Sequence, residues 1–79
     1  MPTYNVALNL TPPPKMGDDE LVELLRQVFD PAICVSIAIT PRGLILECDP
    51  ASLGLLETTL RVKLGARGGT LDSMIARPI

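Results

Sequence analysis

The sequence predicts an α+β sandwich in which a four-stranded antiparallel sheet carries two helices on one face. Two observations indicate this fold. Strand-like alternation and helix-like spacing follow each other along 79 residues, and a β-hairpin lies at the centre of the chain. The order strand, helix, hairpin, helix, strand brings both helices to the same side of the sheet. We therefore expect one small domain, residues 1–79, with βαββαβ topology.

The first strand is predicted over residues 4–10, where large apolar side chains alternate with smaller or polar ones at Tyr4, Val6, Leu8 and Leu10. The run Pro12–Pro14 ends this strand because proline cannot donate to a strand ladder. Three prolines that join a strand to a helix need no other role. The alternative is a polyproline ligand for an aromatic groove.

The first helix is predicted to begin at the acidic run Asp18–Glu20, which suits the positive end of a helix macrodipole. Apolar side chains then follow at the spacing of one helix face, at Leu21, Leu24, Leu25 and Val28. The pair Asp30-Pro31 ends the helix, since the residue before a proline is driven out of the helical region. Three consecutive carboxylates diverge around a helix, so we expect a solvated cap here and no metal site.

The central hairpin is predicted to pair Ile39 with Leu44 across the loop Thr40–Gly43. Proline at the second position of this loop and glycine at the fourth suit a type I turn. In this register the helix-covered face of the hairpin carries Val35, Ile37, Ile39, Leu44, Leu46 and Cys48.

The second helix is predicted to run from Asp49, an N-cap followed by Pro50, to Gly65. A narrow apolar stripe lies between them, at Leu53, Leu56, Leu60 and Leu64. The last residues are predicted as a strand from the alternation Leu71, Ser73, Ile75. One helical turn is the alternative, since Leu71, Met74 and Ile75 would also share a helix face. If the last residues form the strand and not the helical turn, the predicted fold is ferredoxin-like βαββαβ.

The composition argues against several classes of function. The chain contains no histidine, which removes the usual general base and the commonest metal ligand. A formal net charge of −2 disfavours nucleic-acid binding, which usually needs a basic surface. We expect no enzymatic activity and no cofactor. We also expect no membrane span, because the apolar runs are far shorter than about 20 residues.

The two cysteines are predicted to be free thiols. In the hairpin register above, Cys48 faces the helices and Cys34 faces away, so the two side chains cannot reach disulfide geometry. Unpaired cysteines are typical of a reducing compartment, which predicts a cytoplasmic protein.

The sheet face turned away from the helices is predicted to be the functional surface. It would carry small, nearly neutral side chains from three strands: Asn5, Ala7, Asn9, Cys34, Ser36, Ala38 and Ile45. Glu47 is the one clear charge within these strands, whereas a solvent-facing sheet ordinarily carries more. This pattern predicts a homo-oligomer or a protein partner docked on the sheet. A mildly apolar exposed face is the alternative.

A second candidate site is an anion- or RNA-binding loop. Successive backbone N–H groups of a glycine-rich loop can form an anion nest, here with contacts from Arg61, Lys63, Gly65, Arg67, Gly68 and Gly69. The stretch from Leu64 to Met74 resembles the GxxG segment of KH nucleic-acid-binding domains, which implies RNA binding. A helix C-cap followed by a turn is the simpler interpretation of this loop.

A longer resemblance covers the first strand, the first helix, the hairpin and the segment from Asp49 to Leu60. This part of the chain is similar to the small dimerising subunit of the KEOPS tRNA-modification assembly. The resemblance implies a small dimerising subunit of an RNA-modification assembly, and it belongs with the RNA- or phosphate-binding alternative.

Overall fold

The computed structural model describes residues 2–29 and 35–79, and in the second range it describes the side chains from Ala38 onward. The elements are β1 (Thr3–Thr11), α1 (Asp18–Val28), β2 (Val35–Thr40), β3 (Gly43–Glu47), α2 (Leu53–Gly65) and β4 (Thr70–Pro78). The strands form one antiparallel sheet in the order β2-β3-β1-β4. The predicted ferredoxin-like α+β fold is confirmed, and the tail is a strand.

The core lies between the two helices and one face of the sheet. Strict alternation in the central strands buries Tyr4, Val6 and Leu8 of β1 with Leu44 and Leu46 of β3. Both helices bury the predicted apolar stripes against these strands, with Leu21, Leu24, Leu25, Val28, Leu56, Leu60 and Leu64. The core is therefore mainly aliphatic, with the aromatic side chains of Tyr4 and Phe29 also buried. The opposite face of the sheet has no layer over it in the described part of the chain.

Cys48 follows β3 and is fully buried in this core with a free thiol, as predicted. Cys34, which is predicted to face the other side of the sheet, lies outside the described residues. The expectation that the two thiols face opposite sides of the sheet therefore stays a prediction.

The prolines after β1 form a structural turn. The N–H of Met16 donates to the carbonyl oxygen of Pro13 at 3.2 Å, and Lys15 has a φ of 64°. Proline at the second position and a positive φ at the third are typical of a type II turn. Pro13 is buried against Gly69, the residue before β4, and this packing leaves Pro13 inaccessible to an aromatic groove.

The start of α2 agrees with the prediction, with one difference. The Asp49 carboxylate accepts a hydrogen bond from the N–H of Ala51 at 3.0 Å, and Pro50 is the first helical residue. The first turn, Pro50–Ser52, is a 3-10 turn, and the α-helix proper begins at Leu53. Such turns are frequent at helix termini.

The predicted hairpin register is wrong beyond the loop. Thr40 pairs with Gly43 as predicted, but the pairing then shifts by one residue, so that Ile37 lies opposite Ile45. The shift occurs at Ala38, whose φ of 53° is left-handed. Proline at position 41 fixes φ near −65°, which excludes the primed turns whose twist matches two antiparallel strands. The loop therefore has a turn whose twist does not match the strands, and the bulge at Ala38 adds local twist that compensates for this.

A second bulge changes which residues of β4 face the core. The register shifts between Asn9 and Leu10, because Asp72 is an extra residue opposite them. Leu71 therefore packs in the core, whereas Ile75 lies on the opposite face, although the sequence alternation placed both on one side.

Candidate functional site

The uncovered side of the sheet is built from alternate residues of the strands. We call this surface the open face and define it by Asn5, Ala7, Asn9, Ala38, Gly43, Ile45, Glu47, Ser73, Ile75 and Arg77. The β1 members are exposed, and Ile75 keeps 48% of its accessible surface. No other element of the described chain packs on this side.

A shallow pit of about 300 Å³ lies in the open face between β1, β3 and the bulge of β2. Its walls come from Asn5, Val6, Ala7, Ala38, Thr40, Arg42, Gly43, Leu44 and Ile45. The pit exists because three adjacent positions carry little or no side chain, namely Ala7, Ala38 and Gly43. This volume is at the lower end of ligand pockets, and it suits one inserted side chain of a partner.

Gly43 sets the depth of the pit. It pairs with Ala7, and a Cβ atom on residue 43 would overlap the carbonyl oxygen of Val6. Only glycine permits this approach of the two backbones without movement of the sheet. Because β1 and β3 lie so close together here, residue 43 must be a glycine, and the floor of the pit has no side chain at this position.

The hairpin loop that forms one wall of the pit is held by a single side chain. The Thr40 hydroxyl oxygen accepts hydrogen bonds from the N–H of Arg42 at 3.2 Å and of Gly43 at 3.1 Å. The N–H of Leu8 in turn donates to the carbonyl oxygen of Arg42 at 2.8 Å. These bonds fix the loop against β1, so the pit has a rigid rim.

The open face carries more charge than the sequence indicated. Arg42 lies exposed at the rim of the pit, and β4 adds the exposed Arg77. Glu47 occupies the row nearest the start of β1. The predicted face contained residues of three strands and none of β4, so Arg77 and Ile75 were not predicted to lie on it.

The pit brings together four of the seven predicted interface residues: Asn5, Ala7, Ala38 and Ile45. Asn9 is exposed on the same face of β1 but lies outside the pit. Cys34 and the side chain of Ser36 are outside the described residues, and the backbone of Ser36 pairs with the core residue Leu46. The prediction missed Gly43 and Arg42, although the Thr-Pro-Arg-Gly loop sequence was a signal for both.

The glycine-rich segment after α2 forms a helix-ending turn. The N–H of Gly69 donates to the carbonyl oxygen of Leu64 at 2.8 Å, and that of Gly68 to Gly65 at 3.2 Å. With a φ of 87° at Gly68, this is a Schellman motif. The N–H of Arg67 also donates to Leu64, at 3.0 Å. These N–H groups are thus already bonded, so the segment offers no backbone nest for an anion.

The two cationic side chains predicted on α2 point to different sides of the helix. Arg61 and Lys63 are two residues apart on α2, a spacing that points side chains to different sides of a helix. Arg61 also lies 3.3 Å from the Glu57 carboxylate in an exposed ion pair. Arg67 is exposed at the turn itself. Arg61 and Lys63 are therefore not brought into one site.

Residues 2–29 and 35–79 were expected to hold neither a metal ion nor a membrane span. No three histidine, cysteine or acidic side chains in these ranges are placed to hold a metal ion. The acidic run Asp18–Glu20 is exposed at the start of α1. No helix in the same ranges is long and apolar enough to cross a membrane.

Comparison of the chain with known protein families, with curated proteins and with solved structures finds no match in any of the three.

Proposed function

We propose that this protein is a non-enzymatic interaction subunit whose open face binds another protein surface, either a second copy of the chain or a different protein. The observation that carries the proposal is the pit, where Ala7, Ala38 and Gly43 form a recess in an uncovered sheet. Interfaces concentrate their binding energy where an anchor side chain enters such a recess and water is excluded around it.

The size of the face is compatible with a stable contact. A typical interface buries about 800 Å² on each partner, which is about a sixth of the 4693 Å² accessible surface of this chain. One face of a four-stranded sheet supplies an area of this order. Hydrophobic burial around Ile45 and Ile75 would drive the association, because both side chains are partly or largely exposed in the free chain.

The polar groups around the pit indicate the chemistry of the partner. Asn5, Thr40 and Arg42 line it, while its centre is apolar or has no side chain. A complementary surface would present an apolar anchor flanked by hydrogen-bond acceptors, with a carboxylate opposite Arg42. The absence of histidine from the chain and the buried thiol of Cys48 support a role without catalysis, in a cytoplasmic setting.

The RNA- or phosphate-binding alternative receives no support from the glycine-rich turn. Its backbone donors are used within the Schellman motif, and Arg61 and Lys63 lie on different sides of α2. Protein docking on the open face is accordingly the function that we propose.

The test compares three lysine substitutions of exposed or half-exposed apolar residues. Ile45→Lys and Ala38→Lys place a charge in the pit, whereas Val62→Lys changes an exposed residue of α2, which packs on the other side of the sheet. We expect the first two to weaken the complex with the copurifying partner or second copy at least about tenfold, or about 1.4 kcal/mol, and Val62→Lys to leave it unchanged. Native mass spectrometry and sedimentation measure this. A chain that is monomeric and partnerless in its own host, or three variants with equal effects, would refute the proposal.

A further inference from the structure

The outer edge of β4 has hydrogen-bonding groups that nothing in the described chain uses. The N–H of Ile79 donates to the carbonyl oxygen of Thr3 at 3.0 Å, so odd-numbered residues of this end of β4 point their backbone groups towards β1. Met74 and Ala76 are the alternate residues, and their N–H and C=O groups therefore point away from β1. Leu8, which pairs with Met74, agrees with this alternation: its N–H donates to the carbonyl oxygen of Arg42 in the hairpin and not to β4.

Natural proteins usually protect such an edge with prolines, charges, bulges or short strands. In β4 these devices stand only near the two ends: the bulge at Asp72, the exposed charge of Arg77 and the proline Pro78, which lacks an outward N–H. The stretch between them, residues 73–76, is regular and unprotected. The other edge strand, β2, is interrupted by its bulge at Ala38.

We infer that β4 pairs with β4 of a second copy of this chain, in antiparallel orientation about a twofold axis, to form a continuous eight-stranded sheet. A twofold contact needs a surface that complements itself. An edge strand meets this condition when the two residues that face each other across the joint project from the same side of the sheet. Met74 opposite Ala76 of the second copy satisfies this condition. By symmetry the pairing occurs twice, and each pair exchanges two backbone hydrogen bonds.

The side chains favour this register over its neighbour. With Met74 opposite Ala76, Ile75 of each copy lies opposite Ile75 of the other on the open face, in a pair without hydrogen bonds, where side chains approach closely. This contact would cover two side chains that are each 48% exposed in the single chain. The register with Met74 opposite Met74 would instead leave Ile75 beside Ser73.

The charges of β4 are compatible with the same pairing. Asp72 and Arg77 lie near opposite ends of the unprotected stretch, and both are exposed. In an antiparallel pair, each end of the joint therefore combines the acidic residue of one copy with the basic residue of the other, while like charges stay far apart. The pairing also joins two open faces into one wider surface, with a pit in each half.

The proposal concerns the edge and not the pit, so the two surfaces can be tested separately. Ala76→Pro removes the outward N–H from both copies without removing a bond to β1, and Ala76→Ser is the matched control that keeps it. We expect Ala76→Pro to raise the dissociation constant of the dimer at least about tenfold and Ala76→Ser to leave it unchanged, by sedimentation equilibrium. Circular dichroism checks that both variants are folded.

Cysteine cross-linking tests the register independently of the proline. In a Cys34→Ser background, Ile75→Cys should form a disulfide between two copies on mild oxidation, because facing residues in such pairs have Cα atoms about 4.5 Å apart. Ser73→Cys, on the same face and outside facing distance, should not. A monomeric wild type would overturn the inference. So would a dimer that Ile45→Lys dissociates and Ala76→Pro does not, an outcome that leaves the proposed function of the open face intact.

Discussion

The carbonyl oxygen of Val6 would overlap with a Cβ atom on residue 43, so that glycine alone fits between β1 and the hairpin. Gly43→Ala would force the two backbones apart at the centre of the sheet. We expect a loss of about 2–3 kcal/mol in the free energy of unfolding, measured by equilibrium denaturation in urea. The pit of the open face would be distorted by the same movement.

Gly54 in α2 is the matched control for this prediction. A Cβ atom there would meet no atom within 4 Å. Gly54→Ala should therefore stabilise the protein by up to about 1 kcal/mol, since alanine is the better helix former. Similar losses in both variants would contradict the assignment of a special role to Gly43.

The central strands and helices were predictable because side-chain periodicity alone decides them. Val6 in β1 and Leu44 in β3 follow the period of two without interruption, and the buried leucines of α1 and α2 follow the helical spacing. Because one face of each element is buried, an apolar side chain at every second or every third to fourth position stabilises one register only. The core could therefore be predicted from the residues themselves.

The edge strands were less predictable because each contains a bulge. One extra residue, Asp72, moves Ile75 to the open face, and the left-handed Ala38 shifts the pairing of Ile37. Neither an aspartate nor an alanine marks a bulge in a sequence, since glycine is the residue usually expected there. The open face was thus anticipated in β1 and β3, but its β4 half and its pit were not.

Lys15 adopts a left-handed backbone conformation that glycine would adopt with less strain. Its φ is 64° at the third position of the turn after β1. A side chain in this conformation costs roughly 1–2 kcal/mol. Glycine removes this strain from the folded state, but part of the gain is offset because glycine has more conformational freedom in the unfolded chain. Lys15→Gly should raise the free energy of unfolding by about 0.5–1 kcal/mol. Lys15→Ala removes the same charge but keeps the strain, so an equal gain in that variant would assign the effect to charge.

Cys48 couples the stability of the core to pH. Burial raises the pKa of its thiol, and the negative charge of the neighbouring Asp49 raises it further. The unfolded thiol ionises near pH 8.5, whereas the folded one stays protonated to higher pH. The contribution of Cys48 to stability is therefore complete below about pH 8 and is lost as the pH rises above the pKa of the unfolded thiol.

We expect the free energy of unfolding to fall more steeply between pH 8 and pH 10 in the wild type than in Cys48→Ala, because alanine cannot ionise. The cavity left by this substitution lowers stability at every pH, so the slope and not the absolute value is the readout. Asp49→Asn removes the charge, and asparagine can still cap the following turn. Its slope should lie only slightly below that of the wild type, because burial is the larger cause of the shift. Parallel curves for wild type and Cys48→Ala, from denaturation at each pH, would show that the buried thiol does not titrate with unfolding.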